Sequence, residues 1–370
     1  MHVGLNLIYL VPGETGGMEV YARELIPALA EAAPGARFTA FVNKEAGEGP
    51  WDEIGRVTVP VRASNRVEWV RGEQQLLPRL AAGAGCDLVH SLASTAPARG
   101  RFRRVTTIHD LIYREIPAAH FGLRSLGMRL LVPLSARRSH RLIVDAEHTR
   151  GDLLGAARVD PAKIDVVPLA VSPPDGPALA EAEVRRRHDL GERPFVLSVS
   201  AKRPHKNLPR LIEALALLPA ETRPALVLPG YPTPHEAHLR ELAAARGVGE
   251  LVRFPAWVNG DELEGLYAAA AAFAFPSLYE GFGLPVLEAM VRGVPVACSD
   301  RTSLPEVAGD AALMFDPEDP AAIAAALRTL LEDADTADRL RRAGRERAAR
   351  FTWERTARGT LASYERALAA

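Results

Sequence analysis

The segment Ser277-Leu-Tyr-Glu-Gly-Phe-Gly-Leu-Pro-Val-Leu-Glu-Ala-Met290 lies where an apolar stretch gives way to a helical pattern. Residues 268–276, directly ahead of it, are small and apolar, which predicts a buried strand. In its second half apolar residues repeat at helical spacing, and Pro285 suits the first turn of a helix. A strand that leads directly into a helix indicates an α/β fold, in which ligands bind beyond the carboxyl ends of the strands.

Two carboxylates, Glu280 and Glu288, are separated by seven residues within this segment. The pattern predicts that Glu280 lies in the loop after the strand and Glu288 within the first turn of the helix. Gly281 and Gly283 leave backbone N–H groups bare at the helix N-terminus, which suits an anion or a sugar hydroxyl. For either glutamate alone, a capping carboxylate on a surface helix is the alternative, but the segment as a whole favours a binding site.

Length, charge and cysteine content limit the class of protein. A chain of 370 residues is too long for one ordinary core, so two domains are expected. The net charge of −1 argues against a nucleic-acid-binding protein. The two cysteines, Cys86 and Cys298, are far apart and flanked by apolar runs, which indicates buried thiols in a reducing compartment.

The chain shows neither a signal peptide nor a run of about 18 apolar residues that could span a membrane. The ten histidines show no metal-ligand spacing, so we expect no metal site. These features predict a cytoplasmic protein without a metal or other cofactor.

Strands and helices alternate along both halves of the chain, which predicts two parallel sheets, each covered by helices on both faces. In the first half the predicted strands are Val3–Leu10, Phe38–Val42, Arg56–Val61, Leu88–Ser91, Val105–Ile108, Leu142–Asp145 and Ile164–Val167, and the helices include Val67–Ala82 and Gly122–Arg138. In the second half the predicted strands are Phe195–Ser200, Ala225–Pro229, Val252–Phe254, Ala271–Phe275 and Pro295–Cys298.

A Pro- and Gly-rich break at Val171–Pro177 separates the two series. We therefore expect an N-terminal domain over residues 1–170, a linker over 171–188 and a C-terminal domain over 189–350. A last helix over 351–370 is expected to pack back on the N-terminal domain. Two α/β halves of similar size imply a binding cleft between them.

A basic loop follows the first strand of the second half. It places Lys202, Arg203, His205 and Lys206 at the carboxyl end of that strand. Four basic side chains on one loop favour a diphosphate site. A basic surface turn is the alternative.

Two further features lie after strands of the first half. The glycines of Gly13-Glu-Thr-Gly-Gly17 join the first strand to its helix, which suits either a bound anion or a tight turn. His109 follows the strand Val105–Ile108 and therefore also lies at a carboxyl edge. A structural histidine is the alternative there.

Together these motifs resemble the retaining glycosyltransferases of family 4. The resemblance is carried by Gly16-Gly-Met-Glu-Val-Tyr-Ala22, His109-Asp-Leu111, Val166-Val-Pro-Leu169, Pro204-His-Lys-Asn-Leu208, the Glu280–Glu288 segment and Ser303-Leu-Pro-Glu-Val-Ala-Gly-Asp-Ala-Ala312. It implies a GT-B fold, in which two Rossmann-like, doubly wound parallel-sheet domains face each other across a cleft. The N-terminal domain would bind the acceptor and the C-terminal domain the nucleotide sugar.

The resemblance also implies roles for individual residues. Glu288 would bind the ribose, and Glu280 would contact the transferred sugar. Lys206 would neutralise the diphosphate, together with Lys202 or Arg203, and His109 would lie near the reacting sugar. The remaining donor-binding positions would be backbone contacts at Gly16, Gly17, Gly281, Phe282, Gly283 and Leu284.

Two positions in the basic loop depart from the family pattern. Many relatives have an arginine five residues before the lysine, where this chain has Ala201, and Lys202 or Arg203 is the candidate substitute. His205 stands where a subgroup has arginine in a Pro-Arg-Lys-Asn motif.

The resemblance implies metal-independent transfer of a hexose, with retention, to a hydroxyl of a glycan, lipid-linked or small-molecule acceptor. GDP-mannose is the first choice of donor, with UDP- and dTDP-sugars open. A peripheral contact with the membrane through Arg124–Arg138 is open too, with a core-facing helix as the alternative. The alternative functions are a nucleotide-sugar epimerase of the same architecture and a non-catalytic sugar-binding protein.

Overall fold

The computed structural model describes residues 1–116, 123–174 and 176–370, except for the side chains of residues 123–126. The chain divides into two compact units, the first formed by Met1–Ala170 with Thr352–Ala370 and the second by Val171–Phe351. Gly122 and Asp175, which belong to predicted segments, lie outside the described residues, as does the side chain of Arg124.

The first unit is built on one parallel sheet. Its strands are β1 (His2–Leu7), β2 (Arg37–Val42), β3 (Arg56–Thr58), β4 (Leu88–Ser91), β5 (Arg103–Ile108), β6 (Arg141–Val144) and β7 (Ile164–Val166). They lie in the order β3-β2-β1-β4-β5-β6-β7, and all neighbours run parallel. The order reverses between β1 and β4, which is where a doubly wound domain opens a crevice for ligands.

Helices connect these strands and cover the sheet. They are α1 (Gly17–Ala32), α2 (Arg66–Arg71), α3 (Leu77–Gly83), α4 (Ile112–Glu115), α5 (Leu123–Arg138) and α6 (Glu147–Ala156). A π-helical turn, Gly72–Leu76, joins α2 to α3. The predicted helix Val67–Ala82 is therefore continuous, with a π-helical turn in its middle.

The second unit repeats the same plan. Its strands are β8 (Phe195–Leu197), β9 (Ala225–Val227), β10 (Val252–Arg253), β11 (Ala272–Phe275), β12 (Val296–Ser299) and β13 (Ala312–Phe315). They form a parallel sheet in the order β10-β9-β8-β11-β12-β13, which reverses between β8 and β11. Its helices are α7 (Glu181–Arg187), α8 (Leu208–Leu217), α9 (His235–Ala245), α10 (Gly260–Ala269), α11 (Leu284–Val291), α12 (Leu304–Ala308), α13 (Pro320–Glu332) and α14 (Ala334–Ala348).

The prediction of two parallel, doubly wound sheets is confirmed, but several strands are shorter than predicted. The first ends at Leu7 rather than Leu10, although Ile8 and Leu10 are fully buried. Apolar residues in the loops at the carboxyl edge pack into the core as strand residues do, so hydrophobicity alone places the strand ends too late. The edge strand β13, which was not predicted, is partly exposed.

Residues 171–188, expected to form a linker, belong to the second unit and contain α7. The helix packs against α10. The Leu179 N–H donates to the Asp261 carbonyl at 2.9 Å, and a Cβ on Gly265 would lie 2.7 Å from the Leu179 carbonyl oxygen. The Pro/Gly-rich break therefore leads directly into a folded element.

The last helix, α15 (Trp353–Ala369), follows the second unit in sequence but packs within the first, against α1 and the sheet. The hydroxyl of Tyr364 lies 2.7 Å from His90 Nδ1, and both side chains are fully buried. The Thr356 hydroxyl donates to the Pro168 carbonyl at 2.8 Å. Buried polar contacts therefore fix the position of α15 on this unit.

Candidate functional site

The loops that follow β8 and β11 bring Lys206 and Glu280 together. Lys206 ends the short 3-10 turn Pro204–Lys206, and Glu280 lies between β11 and α11. The Lys206 Nζ donates to Glu280 Oε1 at 2.6 Å, and the two side chains are only 16% and 13% exposed. Because β8 and β11 are neighbours at the reversal of strand order, this ion pair occupies the place where doubly wound domains bind ligands.

Asn207, next to Lys206, fixes the course of the lysine loop. Its backbone is left-handed (φ 56°), a conformation that asparagine tolerates better than most residues. Its buried amide donates to the carbonyls of Pro276 (3.1 Å) and Pro317 (2.7 Å). The loop that carries Lys206 is therefore tied to the loop that carries Glu280, which gives the ion pair a fixed geometry.

Gly281, Phe282 and Gly283 lead into the N-terminus of α11, which begins at Leu284. Gly283 has a φ of 117°, and a Cβ there would lie 2.6 Å from Leu304 Cδ2. Only glycine suits this position, because both the backbone angle and the space exclude a side chain. The tight turn leads from Glu280 to the N-terminus of α11, and helix N-termini favour anionic or hydroxyl ligands.

Residues in the loop that follows β12 support this turn. The Ser303 hydroxyl lies 3.0 Å from the Glu280 carbonyl oxygen and 2.7 Å from that of Phe282. The Glu280 N–H donates to the Thr302 hydroxyl at 3.1 Å. The Ser303–Ala312 motif therefore contributes by holding the backbone on both sides of the glycine turn.

Glu288 lies one helical turn after Leu284 on α11. Burial raises the pKa of its carboxyl, and Arg292 and the Tyr267 hydroxyl, which donates at 3.0 Å, partly offset this effect. Arg292 is itself paired with Glu264. Glu288 is thus a partly buried acceptor that is held by the Tyr267 hydroxyl, a neighbour that the sequence motif does not include.

Lys202 does not fit the diphosphate-binding role that the sequence suggested. Its side chain is fully buried, and its ammonium donates to the carbonyls of Gly230 (2.7 Å) and Pro255 (3.1 Å) and lies 3.5 Å from Glu236. It therefore links the loops after β9 and β10 from inside. Arg203 is exposed, so it alone of the two candidate substitutes can extend toward a ligand.

His109 directly follows β5, and both nitrogens of its ring contact protein groups. Nδ1 lies 2.7 Å from Asp145 Oδ2, Nε2 lies 2.8 Å from the Leu92 carbonyl, and the ring packs edge-on against Tyr21. Burial lowers the pKa of His109, but the Asp145 carboxylate and the hydrogen bonds raise it above its ordinary value. Both nitrogens face acceptors, which favours the protonated ring, and both are occupied by protein groups.

Asp145 was not recognised as a site residue from the sequence. It directly follows β6, the neighbour of β5, and its side chain is buried. A carboxylate at the end of an apolar strand beside the strand that carries His109 is the signal that could have revealed it.

Gly16 and Gly17 lie at the start of α1. Gly16 has a φ of 57°, and a Cβ on it would have nothing within 4 Å among the described residues. The loop before it is closed by the Gly13 N–H, which donates to Glu19 at 2.8 Å. The open space at Gly16 gives a ligand access to the backbone at the carboxyl edge of β1.

Among the described residues, no group of three or more His, Cys, Asp and Glu side chains is arranged to hold a metal ion. Within the same residues, no helix has the length and apolar character needed to cross a bilayer.

Comparison with known proteins identifies the family. The family model described as glycosyl transferases group 1 matches residues 181–347, and that of Glycosyltransferase Family 4 matches residues 15–175. The O-antigen chain mannosyltransferase B of Escherichia coli is 35% identical over 269 residues, which cover 71% of this chain and 70% of that protein. The D-inositol 3-phosphate glycosyltransferase of Salinispora tropica is 36% identical over 411 aligned positions, which cover 96% and 82%.

The fold has a solved counterpart in sucrose-phosphate synthase from Thermosynechococcus elongatus. The TM-score is 0.81 at 22% identity, and the match covers 100% of this chain and 99% of that one. The two Rossmann-like domains are those of a GT-B fold. The chain is therefore a glycosyltransferase and belongs to family 4 of these enzymes.

Proposed function

We propose that this glycosyltransferase transfers a hexose, with mannose as the first choice, from a nucleoside-diphosphate sugar to a hydroxyl of a glycan, lipid-linked or small-molecule acceptor, with retention at the anomeric carbon. The observation that carries the proposal is the ion pair of Lys206 and Glu280 beside the glycine turn of α11. It places a cation and a carboxylate beside the N-terminus of a helix, within one loop cluster.

This cluster suits the charges that develop when a sugar–phosphate bond breaks. The departing diphosphate gains negative charge, which Lys206 and the N–H groups of the turn would stabilise. The sugar gains oxocarbenium character, which the carboxylate of Glu280 would stabilise. Lys206 would shift its hydrogen bond from Glu280 to the diphosphate as the donor binds.

Other residues have supporting roles in the proposal. Glu288 accepts hydrogen bonds from the ribose hydroxyls, and the backbone of Phe282–Leu284 binds sugar hydroxyls or phosphate. Arg203 assists Lys206 at the diphosphate, since Lys202 is buried. In the first unit, the backbone at Gly16 and Gly17 approaches the donor, and the carbonyl of His109 meets the transferred sugar.

The choice of mannose rests on a named relative, since the Escherichia coli protein with 35% identity is a mannosyltransferase. The Salinispora relative is named for a different acceptor, D-inositol 3-phosphate, so the names alone do not select the acceptor. We propose GDP-mannose as donor and keep UDP- and dTDP-sugars as the alternatives to be tested.

The test of the donor is thermal stabilisation by GDP, UDP, dTDP and ADP and by their sugar conjugates. A nucleotide present at about 100 times its dissociation constant stabilises the folded protein by about 2.7 kcal/mol. We expect GDP and GDP-mannose to raise the melting temperature and the other bases to have little effect. A shift with UDP or dTDP alone would mean that the donor carries uracil or thymine instead of guanine. No shift with any of the nucleotides would contradict the donor site.

We further propose that the enzyme works on the cytoplasmic side, at the surface of a membrane. The buried, free cysteines accord with a reducing compartment. Leu130 and Leu134 on α5 are 68% and 38% exposed, and they share a helical face with Arg137. Helices that rest on anionic bilayers combine exposed apolar side chains with basic residues.

This contact is tested by co-sedimentation with vesicles of phosphatidylglycerol and phosphatidylcholine. We expect binding that increases with phosphatidylglycerol and is lost in a Leu130→Glu/Leu134→Glu variant. If the variant binds as the wild type does, α5 is not the membrane contact.

A further inference from the structure

A buried carboxyl group, Glu73, connects three parts of the first unit. It lies in the π-helical turn Gly72–Leu76 and is 2% exposed. Its Oε1 accepts from the Thr95 hydroxyl at 2.9 Å and from the Asn6 amide at 3.1 Å, and its Oε2 accepts from the Gln74 amide at 3.0 Å. One side chain thus joins the end of β1, the π-helical turn and the loop that follows β4.

The loop after β4, residues 92–98, is held by the next residue of the π-helical turn as well. The Gln74 side chain donates to the Ala96 carbonyl at 3.0 Å and accepts from the Ala98 N–H at 2.9 Å. π-helical turns are rare and recur at functional sites. In this one, two consecutive side chains bind the same loop.

This loop contains strained backbone. Ser94 has a φ of 52° and is buried, and its N–H donates to the Thr107 carbonyl at 2.8 Å. A left-handed residue other than glycine costs about 1–2 kcal/mol and persists only where its surroundings hold it. The bonds from Glu73 and Gln74 supply that support on one side of Ser94.

The other side of the loop meets His109. The Leu92 carbonyl accepts from the Nε2 of His109 at 2.8 Å, while Asp145 holds the opposite nitrogen. The orientation of the ring therefore depends on where the loop places one carbonyl group. That carbonyl lies three residues before Thr95, the residue bound by Glu73.

We propose that Glu73 is a positioning residue, which fixes the loop 92–98 through Thr95 so that the Leu92 carbonyl orients the ring of His109. The inference rests on the proposed function, in which His109 lies at the transferred sugar.

The test uses Thr95→Val, which removes the hydroxyl that binds Glu73 at nearly constant volume, and Glu73→Gln as a second variant. Thr39→Val is the matched control, because Thr39 loses a hydrogen bond to His2 in the same unit but outside the loop. The pKa of His109 is measured by NMR titration of labelled histidine, with its signal assigned from His109→Gln. Steady-state transfer kinetics are measured on the same proteins.

We expect the pKa of His109 to fall by about half a unit or more in Thr95→Val, because the charged ring loses a well-placed acceptor, and by less in Glu73→Gln, because the amide oxygen can still accept from Thr95. We expect kcat to fall about tenfold or more, as misplacement of a site residue does, while the donor KM stays within about twofold. Thr39→Val should leave both quantities unchanged.

The inference is overturned if both variants fold and retain the wild-type pKa of His109 and the wild-type kcat. It is also overturned if both variants unfold, since Glu73 would then serve stability alone. The NMR measurement needs neither donor nor acceptor. A wild-type protein without transfer activity would therefore contradict the proposed function, while the pKa of His109 would still decide the role of Glu73.

Discussion

At the residue scale, Lys206 and Glu280 hold each other in place. Their hydrogen bond of 2.6 Å joins two charges that are mostly shielded from water, where such bonds are stronger than on the surface. Asn207 and Thr302 fix the backbone on either side. Both charged groups are therefore oriented by the fold, which is what stabilisation of a transition state requires.

Replacing Glu280 with glutamine is expected to abolish transfer but retain nucleotide binding. The amide keeps the shape of the side chain but removes the negative charge proposed to stabilise the oxocarbenium-like sugar. Loss of one such electrostatic contact lowers kcat by about 10²–10³. Steady-state kinetics and nucleotide titration measure the two effects, and equal loss of kcat and affinity would contradict this division of roles.

Alanine substitutions of two lysines on one loop are expected to have different effects, one on nucleotide affinity and the other on stability. Lys206→Ala should weaken nucleoside-diphosphate binding about tenfold or more, since a charge-assisted contact is worth about 1.5–3 kcal/mol. Lys202→Ala should instead lower the melting temperature and leave the dissociation constant nearly unchanged, because its ammonium binds only protein groups among the described residues. Calorimetric titration and thermal melts separate these outcomes. If Lys202→Ala weakens nucleotide binding more than Lys206→Ala does, the roles of the two lysines are the reverse of those proposed.

Glu73 is expected to make stability depend on pH. Burial raises the pKa of its carboxyl from 4.5 to about 7, although three neighbouring donors oppose the shift. Between these two values the folded state binds more protons than the unfolded state, so the free energy of unfolding falls as the pH rises.

In Glu73→Gln this contribution is absent. From pH 5 to pH 8, the stability of the variant relative to the wild type should therefore increase by about 2 kcal/mol. Urea unfolding at the two pH values measures the difference. A constant difference between the two proteins would mean that Glu73 keeps its ordinary pKa in the folded state.

At the scale of elements, the carboxyl edges of the two sheets bear the candidate site residues. The sequence predicted this arrangement well, because a buried strand, a polar loop and an amphipathic helix each leave a local pattern. It did not predict which loop side chains turn inward. Lys202 is buried because carbonyl groups from two distant loops meet its ammonium, and no local pattern reveals such acceptors.

The same limit applies to Asp145 and Glu73. Each is one carboxylate in an unremarkable stretch of sequence, and each is defined by a partner from another part of the chain, at distances of 36 residues to His109 and 22 residues to Thr95. The Glu280–Glu288 segment was found because all of its parts are contiguous.

The glycine turn before α11 is expected to tolerate no side chain. Gly283→Ala combines a left-handed backbone, which costs about 1–2 kcal/mol, with a contact of 2.6 Å to Leu304. Gly155→Ala in α6 is the matched control, since a Cβ there would meet none of the described residues within 4 Å and should stabilise by about 0.5–1 kcal/mol. Chemical denaturation measures both. Equal stability of the two variants would show that the turn can relax.

At the scale of the whole molecule, the chain forms two units from three segments, because α15 returns to the first unit. Its anchor is a buried chain of polar contacts, from Tyr364 to His90 Nδ1 at 2.7 Å and from His90 Nε2 to the Thr107 hydroxyl at 2.8 Å. Burial lowers the pKa of His90 to about 3, so this link is neutral at ordinary pH.

Tyr364→Phe is expected to destabilise the first unit selectively. It leaves a buried nitrogen of His90 without its partner, which costs about 1–3 kcal/mol. Scanning calorimetry with and without nucleotide should show that the variant shifts one transition and the nucleotide shifts the other. If the variant and the nucleotide shift the same transition, the two units do not unfold separately.

The return of α15 also sets the order in which the protein can mature during synthesis. Domains generally fold as units while translation proceeds at about 5–20 residues per second. The helix that completes the first unit leaves the ribosome after the roughly 180 residues of the second, which is a delay of about 10–40 s. During that interval the groove that α15 will fill stays uncovered on the nascent chain. The unit whose synthesis begins first is therefore the last to become complete.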